Sequence, residues 1–343
     1  MDKETIDLVY RAIGMLAQTT GMKIEYLANL PDTEKDYPDG RVRINNGNFQ
    51  LDFALQVKKR ITRPAIAMEK ALPTMPQKDR ILFTTYVTPP IADLMRQVDL
   101  FFIDLAGNAY INKPPLLIFI KGNKPPEEVG KTPIKRLFKP AGLKVLFTLL
   151  NKPDVVNLPY RQIAEMTDVA LGTVDWIFRD LKDMRFMVKM GKRKRKLTNL
   201  DTLRKRWVEA YPDQLRPKLV IDRFMADNPE WWNRVNLLEY GICWGGEIAA
   251  VKLTQQLKPV KATIYGNEMP GKLIIQNKLR KTTDGNIEFM KRFWKFDDAL
   301  AERGMVPPLL IYADLMATGN DRDIEIAGFI YDNHIVQPDW QDR

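Results

Sequence analysis

Four side chains near the start of the chain have the types and spacing for metal-assisted phosphodiester chemistry. Pro38-Asp39 precedes a strand-like segment, and Gln50-Leu51-Asp52-Phe53-Ala54-Leu55-Gln56-Val57-Lys58 follows it. In an alternating strand Leu51, Phe53, Leu55 and Val57 face one side, and Gln50, Asp52, Gln56 and Lys58 face the other. Mg²⁺ takes oxygen ligands, so Asp39 or Asp52 together with Gln56 would supply them, while Lys58 would steady an attacking water. A glutamine in place of a second carboxylate lowers the charge of such a seat. A half-exposed strand with a polar face produces the same pattern with no chemistry, so both readings stay open.

The remaining composition narrows the field. The chain has no serine, one histidine (His334) and one cysteine (Cys243). Ser-His-Asp catalysis and histidine-rich metal sites are excluded. Nothing around Cys243 or His334 resembles a nucleophile motif, and a buried thiol and a surface imidazole are expected. Any chemistry would rest on carboxylates, lysine, threonine or tyrosine with a hard metal ion. No cofactor is called for, Mg²⁺ entering only with the nuclease reading. No apolar run approaches the length of a membrane span, and Met1-Asp2-Lys3-Glu4-Thr5 lacks the start of a signal peptide. A cytoplasmic protein with no membrane contact is expected, and a lone cysteine suits a reducing compartment.

The net charge of +10 is concentrated in one place. Residues 182–206 hold 11 Lys or Arg against two Asp. The run Gly191-Lys192-Arg193-Lys194-Arg195-Lys196 lies between the apolar stretches Phe186-Met187-Val188 and Leu197-Thr198-Asn199-Leu200, which places it on a hairpin. Upstream, Leu143, Leu146, Phe147 and Leu150 form the stripe of one helix. Ile163 and Ala164 of a second helix pack on Val174, Ile177 and Leu181 of a third. Two helices, a tight turn, a reading helix and a basic hairpin make a winged helix-turn-helix, which sets a helix in the major groove and a basic loop on the phosphates. Leu171, Thr173, Trp176, Arg179 and Lys182 are left facing outward on the third helix, with Gly172 in its first turn. Tyr160 and Arg161 start the second helix, where phosphate contacts arise. Arg179 is the candidate for a guanine edge. Ala170 stands where a capping Ser or Asp is usual, and Asp175 and Asp180 put negative charge near the reading face. The hairpin therefore carries much of the expected affinity, through Lys192, Arg193, Lys194, Arg195 and Lys196.

These groups need a multidomain α/β frame to position them. Residues 1–121 alternate helix and strand: a helix over 5–19, strands near 23–27 and 41–44, a turn at Asn45-Asn46-Gly47-Asn48, the strand 49–59, then 81–87, a short helix over 91–98, and strands at 100–104 and 116–120. This order, with Pro-Asp and Gln-x-Lys in place, is similar to the restriction-endonuclease-like PD-(D/E)xK nuclease fold. Residues 122–138 read as a linker, 139–210 as the winged helix-turn-helix, and 218–343 as a C-terminal α/β domain. Within the last, helices are expected over 247–256 and 286–293, and strands over 262–265 and 272–275.

Two further groups of motifs carry a resemblance. Tyr86-Val87-Thr88-Pro89-Pro90-Ile91-Ala92-Asp93-Leu94-Met95 leads to Asp104-Leu105-Ala106-Gly107-Asn108-Ala109, and Trp244-Gly245-Gly246-Glu247-Ile248-Ala249-Ala250 leads to Val306-Pro307-Pro308-Leu309-Leu310-Ile311-Tyr312-Ala313-Asp314-Leu315. The chain resembles the bacterial AbiEi-type antitoxins of type IV toxin-antitoxin systems, described as transcriptional regulators. The resemblance implies promoter binding with autoregulation, and neutralisation of a toxin protein. In that family the winged helix often stands at the N-terminus; here an extra α/β domain precedes it. Asp104 and Asp314 are expected as caps or turns, Gly245-Gly246 as a turn into a helix, and Trp231-Trp232 as core or an interface anchor.

Three functions follow as expectations. The first is a transcriptional regulator, without enzymatic activity, that binds double-stranded DNA as a homodimer. The second is a Mg²⁺-dependent nuclease delivered by the winged helix. The third is a toxin-neutralising interaction protein.

Overall fold

A computed structural model describes residues 3–27, 39–58, 61–71, 80–124, 136–190, 194–256, 258–296 and 300–336. The chain is mixed α/β and divides into two compact units, Met1–Pro133 and Ile134–Arg343. No helix among the described residues is long and apolar enough to cross a membrane.

In the first unit, α1 (Lys3–Thr20) buries Val9, Ala12, Ile13 and Leu16 at helical spacing. Then come β1 (Lys23–Leu27), β2 (Gly40–Asn45), β3 (Gln50–Val57), α2 (Arg63–Ala71), β4 (Arg80–Thr84), α3 (Pro89–Gln97), β5 (Phe102–Asp104), β6 (Ala109–Lys113) and β7 (Leu116–Ile120). They form one seven-stranded sheet in sequential order. β1, β2 and β3 are an antiparallel meander, with Val42 opposite Phe53 and Arg43 opposite Asp52. β3, β4 and β5 run parallel, because α2 and α3 return the chain between them. β5, β6 and β7 close the edge as hairpins. Phe53, Ile81, Phe83, Phe101 and Ile111 lie in the core.

The second unit begins with α4 (Pro140–Asn151), α5 (Tyr160–Thr167), α6 (Leu171–Asp183), the hairpin β8 (Met187–Met190) and β9 (Lys194–Leu197), and α7 (Leu200–Gln214). There follow β10 (Val220–Met225), β11 (Cys243–Gly245), α8 (Gly246–Thr254), β12 (Ala262–Gly266), α9 (Gly271–Gln276), β13 (Arg280–Lys281), β14 (Ile287–Lys291), α10 (Pro308–Thr318) and α11 (Asp321–Ile330). The strands order as β11-β12-β14-β10-β13, with only the β12–β14 pair parallel among its neighbours.

Two expectations are corrected here. Residues 286–293 contain β14 rather than a helix: Ile287, Phe289 and Met290 are fully buried in a strand that pairs with β12 and β10. Residues 272–275 lie in α9 rather than in a strand. That helix has six residues, too few to display its period, with Leu273 buried and Ile275 78% exposed.

A ring stack joins the early helices of this unit to its C-terminal part. Phe147 on α4 packs on Trp207 of α7 at 5.2 Å between centroids, and on Phe293 at 5.0 Å and Trp294 at 5.7 Å. Trp207 stacks in turn on Tyr211 at 5.1 Å, and its ring N–H donates to the Leu143 carbonyl at 2.8 Å.

Candidate nucleic-acid interface

Leu143, Leu146, Phe147 and Leu150 of α4 are buried, as the stripe requires. Before α4 the chain makes a short turn at Arg136–Phe138, and Gly142 permits it: a Cβ there would sit 2.2 Å from the Leu137 carbonyl oxygen. Asp168 ends α5 in the left-handed region (φ 51°), and Val169 N–H bonds back to the Ala164 carbonyl at 3.1 Å, which makes the tight turn into α6. Ala170 supplies no side-chain cap to α6.

Val174, Ile177, Phe178 and Leu181 turn inward on α6, while Leu171, Gly172, Trp176, Arg179 and Lys182 are exposed and Thr173 is half-buried. The two aspartates are engaged within the chain. Asp175 holds Arg179 at 2.7 Å, and Asp180 accepts the Leu137 N–H at 3.2 Å. Trp176 has the guanidinium carbons of Arg136 and Arg179 over its ring at 4.5 and 4.9 Å. Arg161 is exposed at the start of α5, and Tyr160 is half-buried against Phe178 at 4.7 Å.

The hairpin divides its charges by the two-residue alternation of β9. Lys194 and Lys196 are exposed and pair across the ladder with Met190 and Val188. Arg195 turns the other way. Its backbone N–H donates to Asn157 Oδ1 at 2.7 Å and its guanidinium to the Val156 carbonyl at 3.1 Å. That guanidinium also lies over Tyr160 at 4.8 Å and Phe178 at 5.1 Å. Of the hairpin's expected phosphate contacts among the described residues, then, Arg195 fastens the hairpin to the helices, and Lys194 and Lys196 are presented outward. Lys192 and Arg193 lie outside the described residues.

The four candidate metal-site residues of the first unit are all engaged within the chain: Gln56 and Lys58 share the Arg80–Glu69 pair, Asp39 sits on the N–H of the residue between them, and Asp52 stands apart. The Asp39 carboxylate accepts the Val57 N–H at 2.7 Å. Asp52 takes a two-bond fork from Arg43 at 2.7 and 2.8 Å, which holds its carboxyl below the usual range. Gln56 Oε1 accepts from Arg80 Nη1 at 3.0 Å. Lys58 pairs with Glu69, whose other oxygen lies 2.7 Å from Arg80. Arg80 is 1% exposed, so a guanidinium already supplies positive charge between Gln56 and Glu69. A Mg²⁺ on those oxygens would have to displace it, and the donor set does not fit that ion. Among the described residues no group of three Asp, Glu, His or Cys side chains is placed to hold a metal. Pro38 lies outside the described residues.

The two aspartates singled out by the resemblance differ. Asp104 organises a turn, as expected: it accepts backbone N–H groups from Val87, Ala106 and Asn108 and the side-chain amide of Asn108, all at 2.8–2.9 Å. Burial pushes its carboxyl up, and those donors pull against that. Asp314 is no cap; it is buried within α10. It accepts from Tyr211 at 3.0 Å, from Tyr265 at 2.9 Å and from Arg216 at 3.3 Å, and Arg216 reaches on to Glu288 at 2.6 Å. Burial raises the Asp314 carboxyl against the pull of Arg216. Gly245-Gly246 makes the turn from β11 into α8, and Trp231 is buried on Trp244 at 5.6 Å. A pocket of about 220 Å³ opens beside this cluster, lined in part by Arg216, Glu247, Lys261, Thr263 and Asp314. The sequence singled out Asp314 but not its partners, because they lie on α7, the following turn, β12 and β14, far apart in the chain.

Among curated proteins and solved structures none matches this chain. The resemblance read from the sequence is borne out over residues 196–336, which include Trp244–Ala250 and Val306–Leu315 and match the family described as transcriptional regulator, AbiEi antitoxin, of the type IV toxin-antitoxin system.

Proposed function

We propose that this chain is a DNA-binding transcriptional regulator that reads duplex DNA through a winged helix-turn-helix over residues 139–206. The observation that carries the reading is the juxtaposition of an exposed α6 face, with Trp176, Arg179 and Lys182, and a hairpin that turns Lys194 and Lys196 outward. A reading helix beside a basic hairpin is the arrangement that engages a major groove and its flanking phosphates. The family description supports regulation, and a role as an autoregulating antitoxin acting on a toxin partner follows from the same description. A cytoplasmic homodimer suits such a reader, since two half-sites multiply affinity and selectivity.

The order of α1, an antiparallel meander, α2 and a parallel strand supports a restriction-endonuclease-like fold for the first unit. The engagement of Gln56 and Glu69 with Arg80 favours a non-enzymatic role for it. The deciding experiment incubates fragments of the protein's own upstream region with the full chain, with and without Mg²⁺, and reads retardation and cleavage in the same samples. Salt-sensitive retardation without cleavage is expected. Mg²⁺-dependent nicking that Lys58→Ala abolishes would overturn the regulator in favour of a nuclease.

A further inference from the structure

Resting on the DNA-binding reading, we infer that α6 reads thymine methyl groups, with Gly172 admitting the groove edge close to the helix and Trp176 supplying the apolar contact. Gly172, Trp176 and Arg179 stand at i, i+4 and i+7, on the face opposite the buried Val174, Ile177, Phe178 and Leu181.

Glycine is the costly choice inside an exposed helix. A Cβ at 172 would meet nothing within 4 Å, and the backbone there does not adopt a positive φ. Gly142 is the contrast, since its Cβ would strike the backbone. A bare backbone at 172 leaves the outward face of the helix open to close approach. It falls in the first turn of α6, the end of a reading helix that meets base edges.

Trp176 is 48% exposed and Leu171 49% exposed, so this end of the helix carries uncovered apolar surface. Arg136, Arg161, Arg179, Lys182, Lys194 and Lys196 are exposed, as are Glu165, Asp168 and Asp183, and the two guanidiniums over Trp176 make the ring's own surroundings cationic. An apolar ring flanked by guanidiniums suits a polyanion that has apolar features of its own. In the major groove that feature is the C5 methyl of thymine. The guanidiniums of Arg136 and Arg179 lie over the Trp176 ring and hold it in place. Arg179 is tied to Asp175 at 2.7 Å, so a guanine contact from it requires breaking that pair.

The test uses the full chain and a labelled duplex from its own upstream region, prepared once with thymine and once with deoxyuridine throughout. The two probes have the same charge and pairing and differ only in the methyl group. The wild type is expected to bind the uracil probe about fivefold or more weakly. Gly172→Ala is expected to melt at the same or a higher temperature and yet bind the thymine probe about tenfold more weakly. Trp176→Ala is expected to bring the affinity ratio of the two probes to about one. Equal, salt-sensitive binding of both probes by the wild type, or full binding by Gly172→Ala, overturns the inference and leaves the DNA reading in place. Retardation of neither probe overturns both and assigns the Leu171–Trp176 surface to a protein partner.

Discussion

Neutralising Lys194 and Lys196 together should weaken DNA binding in a way that removing Arg195 does not. The alternation of β9 turns the two lysines to solvent, while Arg195 spends its guanidinium on the Val156 carbonyl and the rings of Tyr160 and Phe178. Each lysine that neutralises a phosphate adds about 0.9 to the slope of log affinity against log salt, so the double alanine variant should lose about 1.8 from that slope. Over a roughly fourfold rise in salt, the variant's affinity should then fall about tenfold less than the wild type's. Arg195→Ala should instead cost about 1–3 kcal/mol of stability, from one charged hydrogen bond and two ring contacts. The measurements are fluorescence anisotropy of a labelled duplex across a salt series, and thermal melts of each variant. An unchanged slope in the lysine variant would refute the reasoning. So would an Arg195→Ala protein that keeps its melting temperature and loses as much slope as the pair.

Asp104→Asn should destabilise the first unit by about 3 kcal/mol in urea unfolding, because an amide NH₂ would face N–H donors that the carboxylate now accepts. Tyr211→Phe should cost the second unit about 1–3 kcal/mol by withdrawing an O–H from the buried Asp314 carboxylate; a melt identical to the wild type would show that Tyr265 alone satisfies it. Burial alone would raise the Glu288 carboxyl, but Arg216 and then Arg223 outweigh it and the folded value lies below the ordinary one. A depressed folded pKa gives stability that is present above the unfolded value and lost as pH falls through the folded one. Glu288→Gln should therefore flatten the loss of stability between about pH 5 and the acid limit, read from melts across that range.

Much of the exposed face of α6 was legible because helical spacing needs only local residues. Val174, Ile177 and Leu181 of α6 are inside, and Trp176, Arg179 and Lys182 are outside, where the pattern put them. The direction of Arg195 was not legible. A run of five basic residues has no apolar partner to betray its alternation, and the inward position is set by Asn157 and Val156, some forty residues earlier. The same limit hid Arg80, whose side chain sits between Gln56 and Glu69: an arginine at the head of a strand carries no local mark of burial. β14 and α9 exchanged types because Glu, Met and Lys favour helices and consecutive isoleucines favour strands, while packing in the sheet decided otherwise. The Asp104 turn was readable, since Asp-x-Ala-Gly-Asn carries its own turn chemistry.

The stack of Phe147, Trp207 and Tyr211 makes a stiff lever of the second unit. Tilting α4 against the C-terminal part would separate rings packed 5.0–5.7 Å apart, so the helices proposed to read DNA would be presented at a fixed angle to whatever grips that part. Two copies joined through their C-terminal parts would hold their α6 helices at one separation and one phase. Such a pair would tolerate little change in the spacing of its half-sites. Inserting about five base pairs, half a helical turn, would carry one half-site to the far side of the duplex, beyond the reach of a reader that cannot bend to follow it.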